Sequence, residues 1–558
     1  MVPEWRSRNV GGPRLKPAAH ILVVALSAAF AAPSVAADGA GGIATGMSGF
    51  GVGGSGVAAG GSDDRGGQQG GRPAWLIEPR ISVTETITDN AALSQGGGGS
   101  KGDQITQISP GIRLLGRSAR LKANFDYSLN QIYYAQNTHG SSTQNALNTN
   151  GTLEALEDWM FLDFNGTISQ QSISAFGTQS FNNASVNSNT TETSNYSLSP
   201  YIRGRLAGSA EYLVRYRWTT TDTKSNQVSG NSTETWTANI HGSTGLASLG
   251  WALDAISTRA DYNGGRVSES DRMFGTLIWR IDPQFRLNFS AGTEADNYTT
   301  PDKETRSTHG YGFDWAPTTR TSITAYRERR AFGNSHRFSF NHRTPLSAWR
   351  FTDSRDVEVL NQTGVVGLGT IYDLVYALTA SNPNIDPNDE VTRAQFTNFI
   401  LAQLGLQPNA VVTSGFLASQ AYLQRRRELS FTILGARNNL TFTASQSRRE
   451  SLTNQTVLAL VDDFRFSNVI NQRSYSVNFS HRLNEDSSIN AMAMKLDSSG
   501  ESSSASNLHT SQKTLSVNFS TRFGPKTTAS LGLRRTEFDS ESTPYTENAV
   551  TGTFTARF

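Results

Sequence analysis

Leu121-Lys-Ala-Asn-Phe-Asp-Tyr-Ser-Leu-Asn130 alternates apolar and polar residues without a break. In an extended chain Leu121, Ala123, Phe125, Tyr127 and Leu129 share one face, and Lys122, Asn124, Asp126, Ser128 and Asn130 share the other. A strand of a soluble sandwich usually runs for about 5 or 6 residues. A strand crossing a bilayer at a tilt needs about 9 to 11. The polar face decides between them, because it carries Lys122 and Asp126, which a dry core would not accept unpaired and a wet lumen does.

The pattern recurs along the chain. Tyr475, Val477 and Phe479 oppose Ser476, Asn478, Ser480 and Arg482, and Leu515, Val517, Phe519 and Phe523 oppose Ser516, Asn518, Ser520 and Arg522. At the end of the sequence Val550, Gly552, Phe554, Ala556 and Phe558 oppose Thr551, Thr553, Thr555 and Arg557. A final aromatic closing an alternating strand matches the C-terminal signal read by bacterial barrel-assembly machinery, which makes Phe554 and Phe558 the candidate assembly residues.

Between the alternating segments the connections fall into two classes. Tight turns are expected at Gly116-Arg-Ser, Leu156-Glu-Asp, Leu206-Ala-Gly, Gly245 to Gly250, Asp282-Pro283, Ala316-Pro317, Arg343-Thr-Pro345, Arg437-Asn-Asn, Asn484-Glu-Asp and Gly524-Pro525. Longer polar loops such as Asn137 to Gln144 and Gln171 to Asn195 separate them. Short periplasmic turns alternating with long external loops predict one large transmembrane antiparallel β-barrel over 74–558, with about 22 strands in a range of about 18 to 24. Trp159, Trp251, Trp279, Trp315 and Trp349 all fall beside the proposed turns, where one interfacial aromatic girdle belongs. Trp218 and Trp236 fall towards the other strand ends.

One stretch changes period. Over 356–423 a small helical insertion is expected, as an external loop or a lumen plug. Asp386-Pro-Asn-Asp-Glu390 reads as a helix start, Phe396, Phe399, Ile400 and Leu404 share a helical face, and Gly405 and Pro408 stop it. Ile371 to Leu378 and Phe416 to Tyr422 are weaker helical candidates.

Ahead of the barrel, Arg6, Arg8, Arg14 and Lys16 precede the apolar run Ile21 to Ala32 and the small-residue site Ser34-Val-Ala36. This reads as a signal peptide over 1–37, cut after Ala36 or Ala37. The Gly-rich stretch 38–73 cannot bury a core and reads as a disordered periplasmic leader.

Composition narrows the function. Lys+Arg 49 against Asp+Glu 47 gives +2, no surplus of the kind that binds nucleic acid. Cys 0 removes disulfides and Cys-ligated metals. A mean hydropathy of -0.41 argues against spanning helices and agrees with strands that face lipid with every second residue. His139, His241, His309, His336, His342, His481 and His509 show neither metal spacing nor a nucleophile motif. Asp462-Asp463 has no calcium-loop pattern and reads as a loop, and Arg425-Arg-Arg427 reads as a solvated rim at a strand start. No catalytic residue, cofactor or metal is expected.

The chain resembles the outer-membrane β-barrel family associated with PEP-CTERM/exosortase systems, within the broader β-barrel porin group. The resemblance rests on Pro79-Arg-Ile-Ser-Val-Thr-Glu-Thr-Ile-Thr-Asp-Asn90, Ile108-Ser-Pro-Gly-Ile112, Phe125-Asp-Tyr-Ser-Leu129, His342-Arg-Thr-Pro-Leu-Ser-Ala-Trp349 with Ser354-Arg-Asp356, Gly435-Ala-Arg-Asn-Asn-Leu440 and Leu404-Gly-Leu406. It covers about Trp75 to Phe558 and implies a non-enzymatic barrel encoded with exopolysaccharide and protein-sorting machinery. The expectation is therefore a pore or conduit in the cell outer membrane serving exopolysaccharide export. The alternative is a scaffold barrel that binds a surface polymer without transport. The partners expected are outer-membrane lipid, the barrel-assembly machinery, exopolysaccharide and export components.

Overall fold

The computed structural model describes residues 75–558 apart from 96–100, 137, 207–209, 264, 360–415, 453–462 and 502–507. The expected signal peptide with Ala36 and Ala37, the leader, and the helix around Phe396 to Leu404 lie outside the described residues.

The strands are β1 (Trp75–Thr88), β2 (Asp103–Arg117), β3 (Leu121–Tyr134), β4 (Ser142–Leu156), β5 (Met160–Ser172), β6 (Thr190–Leu206), β7 (Ala210–Thr223) and β8 (Asn231–Ser243). They continue as β9 (Leu249–Tyr262), β10 (Ser268–Asp282), β11 (Phe285–Asp296), β12 (Glu304–Thr318), β13 (Thr321–Arg330), β14 (Gly333–Arg343) and β15 (Ser347–Glu358). The last are β16 (Tyr422–Leu434), β17 (Asn438–Ser451), β18 (Val469–Arg482), β19 (Ser487–Glu501), β20 (His509–Gly524), β21 (Thr527–Ser540) and β22 (Tyr545–Arg557). Each strand pairs antiparallel with the next, and β22 returns to β1 from Arg80↔Arg557 to Thr88↔Ala549. The result is a closed 22-stranded sheet. Closure leaves no edge with unpaired N–H and C=O groups, the condition for crossing lipid with strands.

Alternation sets what each face of the wall presents. Ile81, Val83, Leu253, Leu277, Phe289, Tyr475, Val477, Phe479, Leu515, Val517, Phe519, Leu531, Leu533, Val550 and Phe554 all project outward and are exposed. A contiguous apolar surface of this extent is far beyond what a soluble monomer tolerates in water. The inward face is polar. Along the closing seam Ser82 pairs with Thr555 (2.8 Å), Thr84 with Thr553 (3.1 Å) and Thr86 with Thr551 (3.3 Å), and the Thr88 hydroxyl donates to Glu547 (3.0 Å). Backbone crowding also shapes the wall: a Cβ on Gly292 would lie 2.1 Å from the Met273 carbonyl oxygen.

The expected tight turns all lie at one end of the barrel, here called the turn end. One is displaced: Ala316 and Pro317 belong to β12, and the chain reverses at 319–320. Pro at this point is tolerated because the register of β12 with β13 breaks between Trp315 and Thr318, where no ladder N–H is needed. At the other end, the loop end, most connections are longer, the short ones being 331–332 between β13 and β14 and 541–544 between β21 and β22. Arg425 to Arg427 lie inside β16 rather than on a solvated rim. The Phe416 to Tyr422 helix is not formed. Phe416 makes a parallel bridge to Ser172, and Tyr422 opens β16. The outermost residues of the expected insertion are wall, with Asp356 to Glu358 closing β15 and Tyr422 and Leu423 in β16. Among the described residues the one helical element is a 3₁₀ turn at Asp463–Arg465.

Candidate functional site

The inner wall carries its charges mostly as pairs. Arg80 donates two hydrogen bonds to Asp126 (2.5 and 2.9 Å) across β2. Arg215 pairs with Asp163 (2.8 Å) and Arg534 with Glu547 (3.0 Å). Nearer the loop end Arg272 pairs with Glu328, and Arg330 bridges Glu294 and Asp356. Cross-strand pairing of this kind cancels the charge that a polar lumen would otherwise hold unbalanced. Low on the wall the rings of Phe161 and Tyr201 stack at 5.1 Å, with the guanidinium groups of Arg203 and Arg215 over their faces at 4.3 and 4.0 Å. Between these pairs Ser, Thr, Asn and Gln supply donors and acceptors in bonds that are individually weak and readily exchanged.

Described parts of three connections meet at the loop end, the third being 463–468 ahead of β18, which carries Asp463 and Phe464. The first is 173–189, between β5 and β6. Its start packs with Phe416, Tyr422, Phe464 and Ile470 through Ala175 and Phe176, and with Val228 and Leu417 through Ile173. Its far side reaches β1 to β3, where Ala184 and Val186 cover Ala91, Ile105, Ile132 and Tyr134, and the Tyr134 hydroxyl donates to the Ala184 carbonyl (2.7 Å). Its tip meets β22, where the Tyr545 hydroxyl donates to the Gln179 carbonyl (2.5 Å). The second connection joins β15 to β16. At its start the Val359 carbonyl accepts from the Tyr262 hydroxyl on β9. At its end the Leu417 N–H donates to Ser172 (3.3 Å) and the Ser419 hydroxyl accepts from the Ser229 N–H (3.3 Å).

Because β5 and β16 are half a circuit apart, the Ser172–Phe416 bridge spans the mouth from opposite walls. The carboxylate of Asp463 fastens it, accepting from the Ser174 hydroxyl (2.6 Å) and the Ala175 N–H (2.7 Å). Among the described residues Ala175, Phe416, Ala418, Tyr422, Phe464 and Ile470 form one buried apolar cluster here, built from connections and the strand ends beside them. A cleft of about 380 Å³ remains beside it, lined by Gln144, Gln170, Glu192, Lys224 and Gln227 among others. Outside the wall, Lys303 in the connection between β11 and β12 donates to Asp271 (2.7 Å) and lies 3.1 Å from Glu269, and the Asp271 bond first, then Glu269, hold its pKa above the usual lysine value.

Trp159, Trp279, Trp315 and Trp349 are exposed at the turn end, with Trp251 beside them on the outward side of β9 opposite Leu277. The Trp159 indole N–H donates to the Tyr212 hydroxyl (3.0 Å). Trp75, which opens β1 and lies 49% exposed over Gly116, belongs with them. Trp218 and Trp236 lie in the loop-end halves of β7 and β8 and are exposed. Phe554 faces outward opposite Val83, and the Phe558 N–H donates to the Pro79 carbonyl (2.9 Å), so the chain end is seated on the seam that closes the ring. Among the described residues no cluster of three His, Asp or Glu side chains could hold a metal ion.

The inward fold of the connection between β5 and β6 was not anticipated from sequence. Gln171 to Asn195 read as a polar loop, yet Ile173, Ala175, Phe176, Phe181, Ala184 and Val186 recur through it. A solvated external loop has no use for that apolar series, and this was the available signal.

No protein-family model matches the chain, and no curated protein matches it. Among solved structures it is similar to the siderophore receptor PirA from Pseudomonas aeruginosa, at 8% identity over 88% of this chain and 81% of that one, with a TM-score of 0.42. It is also similar to the FrpB iron transporter from Neisseria meningitidis, at 9% identity over 86% of this chain and 82% of that one, with a TM-score of 0.47.

Proposed function

We propose that the chain is a cell outer-membrane barrel acting as a gated conduit for a polar, hydroxyl-rich polymer, with exopolysaccharide export beside a PEP-CTERM/exosortase system as its specific role. The observation that carries this reading is the division of labour between wall and lid. The wall offers hydroxyls, amides and paired charges, which exchange hydrogen bonds with a sugar chain without trapping it. Connections meet at the mouth, and connections can move without breaking the ring of strands. The family resemblance supports the polymer class, and the outward apolar band supports the membrane.

A scaffold barrel that holds a surface polymer without transport is the second reading. It is favoured by the apolar seams of the lid, where Ala175, Phe416, Tyr422, Phe464 and Ile470 are all buried. Planar-bilayer conductance separates the two. The conduit reading expects small, infrequent openings from the intact chain and a large, steady conductance after removal of 360–415 together with 176–187. A barrel that stays closed after both deletions contradicts it. In cells, loss of a conduit leaves polymer inside, whereas loss of a scaffold sheds it.

A further inference from the structure

The outer wall is not uniform around its circumference. One continuous hydrogen-bonded register row runs Tyr311↔Arg327↔His336↔Arg355↔Arg425↔Arg448 across β12 to β17. All of these residues face outward, since they share parity with Trp315, Phe340, Trp349, Phe431 and Phe442. Arg329 extends the row on the loop side, and Arg427 and Arg473 flank it on the turn side. With strands about 4.8 Å apart, the five basic positions span roughly 20 Å of wall.

These charges are poorly compensated. Asp353 is the one outward carboxylate on β13 to β16, and it is shared by Arg425 (2.9 Å), Arg427 (3.3 Å) and His336 (3.1 Å). Arg448 pairs with Glu450 and Glu501 at the far edge. Among the described residues Arg327, Arg329, Arg355 and Arg473 have no carboxylate within ion-pair distance. Elsewhere on the outer wall several cations are paired: Arg259 and Lys303 meet Glu269 and Asp271, Lys495 meets Asp497, and Arg535 meets Glu537.

The patch also sits low. Its cations stand directly above Ala325, Phe338 and Leu429, with Asp353 alone between Arg355 and Phe351, whereas apolar side chains on β1 continue towards the loop end through Ile81, Val83 and Ile87. Uncompensated guanidinium groups at the upper edge of a hydrocarbon layer must draw anions down to them or be covered. A planar guanidinium matches phosphate in a two-bond fork, and several in a row suit a headgroup carrying more than one phosphate.

We propose that the outer face of β13 to β17 is a binding site for the phosphates of a multiply phosphorylated outer-leaflet glycolipid, whose acyl chains lie on Phe338, Phe340, Phe351, Leu429 and Phe431. This rests on the membrane placement proposed above and not on the conduit reading. The test is native mass spectrometry of the full mature chain, inserted into nanodiscs of neutral phosphatidylcholine doped with bisphosphorylated lipid A or with its dephosphorylated form. The bisphosphorylated lipid is expected to stay bound, and R327Q/R355Q/R425Q to lower its retention about tenfold or more. K495Q/K513Q, on the same wall outside the patch, should retain it fully. Folding of each variant is checked by its heat-dependent electrophoretic mobility, and the single variants replace the triple if that fails. Equal retention of the dephosphorylated lipid, or retention unchanged in folded patch variants, overturns the proposal. So does a dimer trapped by a disulfide through R355C, which would make the patch a protein interface. A chain that does not insert into neutral discs overturns the membrane placement as well, whereas insertion with unchanged retention overturns this site alone.

Discussion

Asp463 accepts a hydrogen bond from the Ser174 hydroxyl at 2.6 Å, across 289 positions of sequence, and its second oxygen takes the Ala175 N–H at 2.7 Å. The two residues belong to connections that leave opposite sides of the ring. Their bond therefore joins two connections and no strand of the wall.

Asp463→Ala should loosen the lid without unfolding the barrel. Losing two hydrogen bonds to a carboxylate costs about 2–3 kcal/mol, which raises the open fraction by roughly 30- to 150-fold if the lid is two-state. Single-channel recording should show more frequent openings of unchanged amplitude. Asp463→Asn, which keeps one acceptor oxygen, should fall between.

Asp126→Ala should weaken the closing region of the wall. It strands Arg80, whose side chain is 24% exposed, so lumen water discounts the loss to about 1–2 kcal/mol. Thr84→Val at the neighbouring seam removes a single neutral bond at 3.1 Å and should cost about 0.5–1 kcal/mol. Urea titration in liposomes, followed by intrinsic fluorescence, should rank them in that order.

Leu515→Arg and Ser516→Arg place the same side chain on opposite faces of β20. The outward variant should lose about 2–4 kcal/mol of stability in lipid, the cost of a midplane charge on the lipid face. The inward one should lose little. The same titration checks it, and equal losses would mean that Leu515 does not meet lipid.

Gly292→Ala should destabilise by about 1–3 kcal/mol, because its methyl would press on the Met273 carbonyl, a backbone atom that cannot swing away. Gly552→Ala, where a Cβ meets nothing within 4 Å, is the control and should be close to neutral.

The wall was legible because its period is short and its physics local. Alternation as in Leu121 to Asn130 states which residues face lipid, and paired turn residues such as Asp282-Pro283 state where the chain reverses. Pro317 misled by three residues because a broken register accepts proline inside a strand. The lid was not legible, because Ser174 and Asp463 meet only after the ring has closed, and no local period announces a contact between distant loops. Arg425 to Arg427 read as a rim for a related reason. A run of charges shows neither its depth in the wall nor that Arg426 turns inward between two outward neighbours. The row from Arg327 to Arg448 exists only once five strands are set in register.

The central claim is that lipid touches every second residue of a closed wall and water the others. With Cys 0 in the native chain, single cysteines at 514 to 519 can be spin-labelled one at a time in liposomes. Electron paramagnetic resonance then compares collision with oxygen, which partitions into lipid, and with a polar nickel chelate. The account predicts a period of two, with oxygen contact high at Leu515→Cys, Val517→Cys and Phe519→Cys and low at Thr514→Cys, Ser516→Cys and Asn518→Cys. Uniform oxygen contact along the strand, or a chain that stays soluble and unlabelled by lipid, would contradict it.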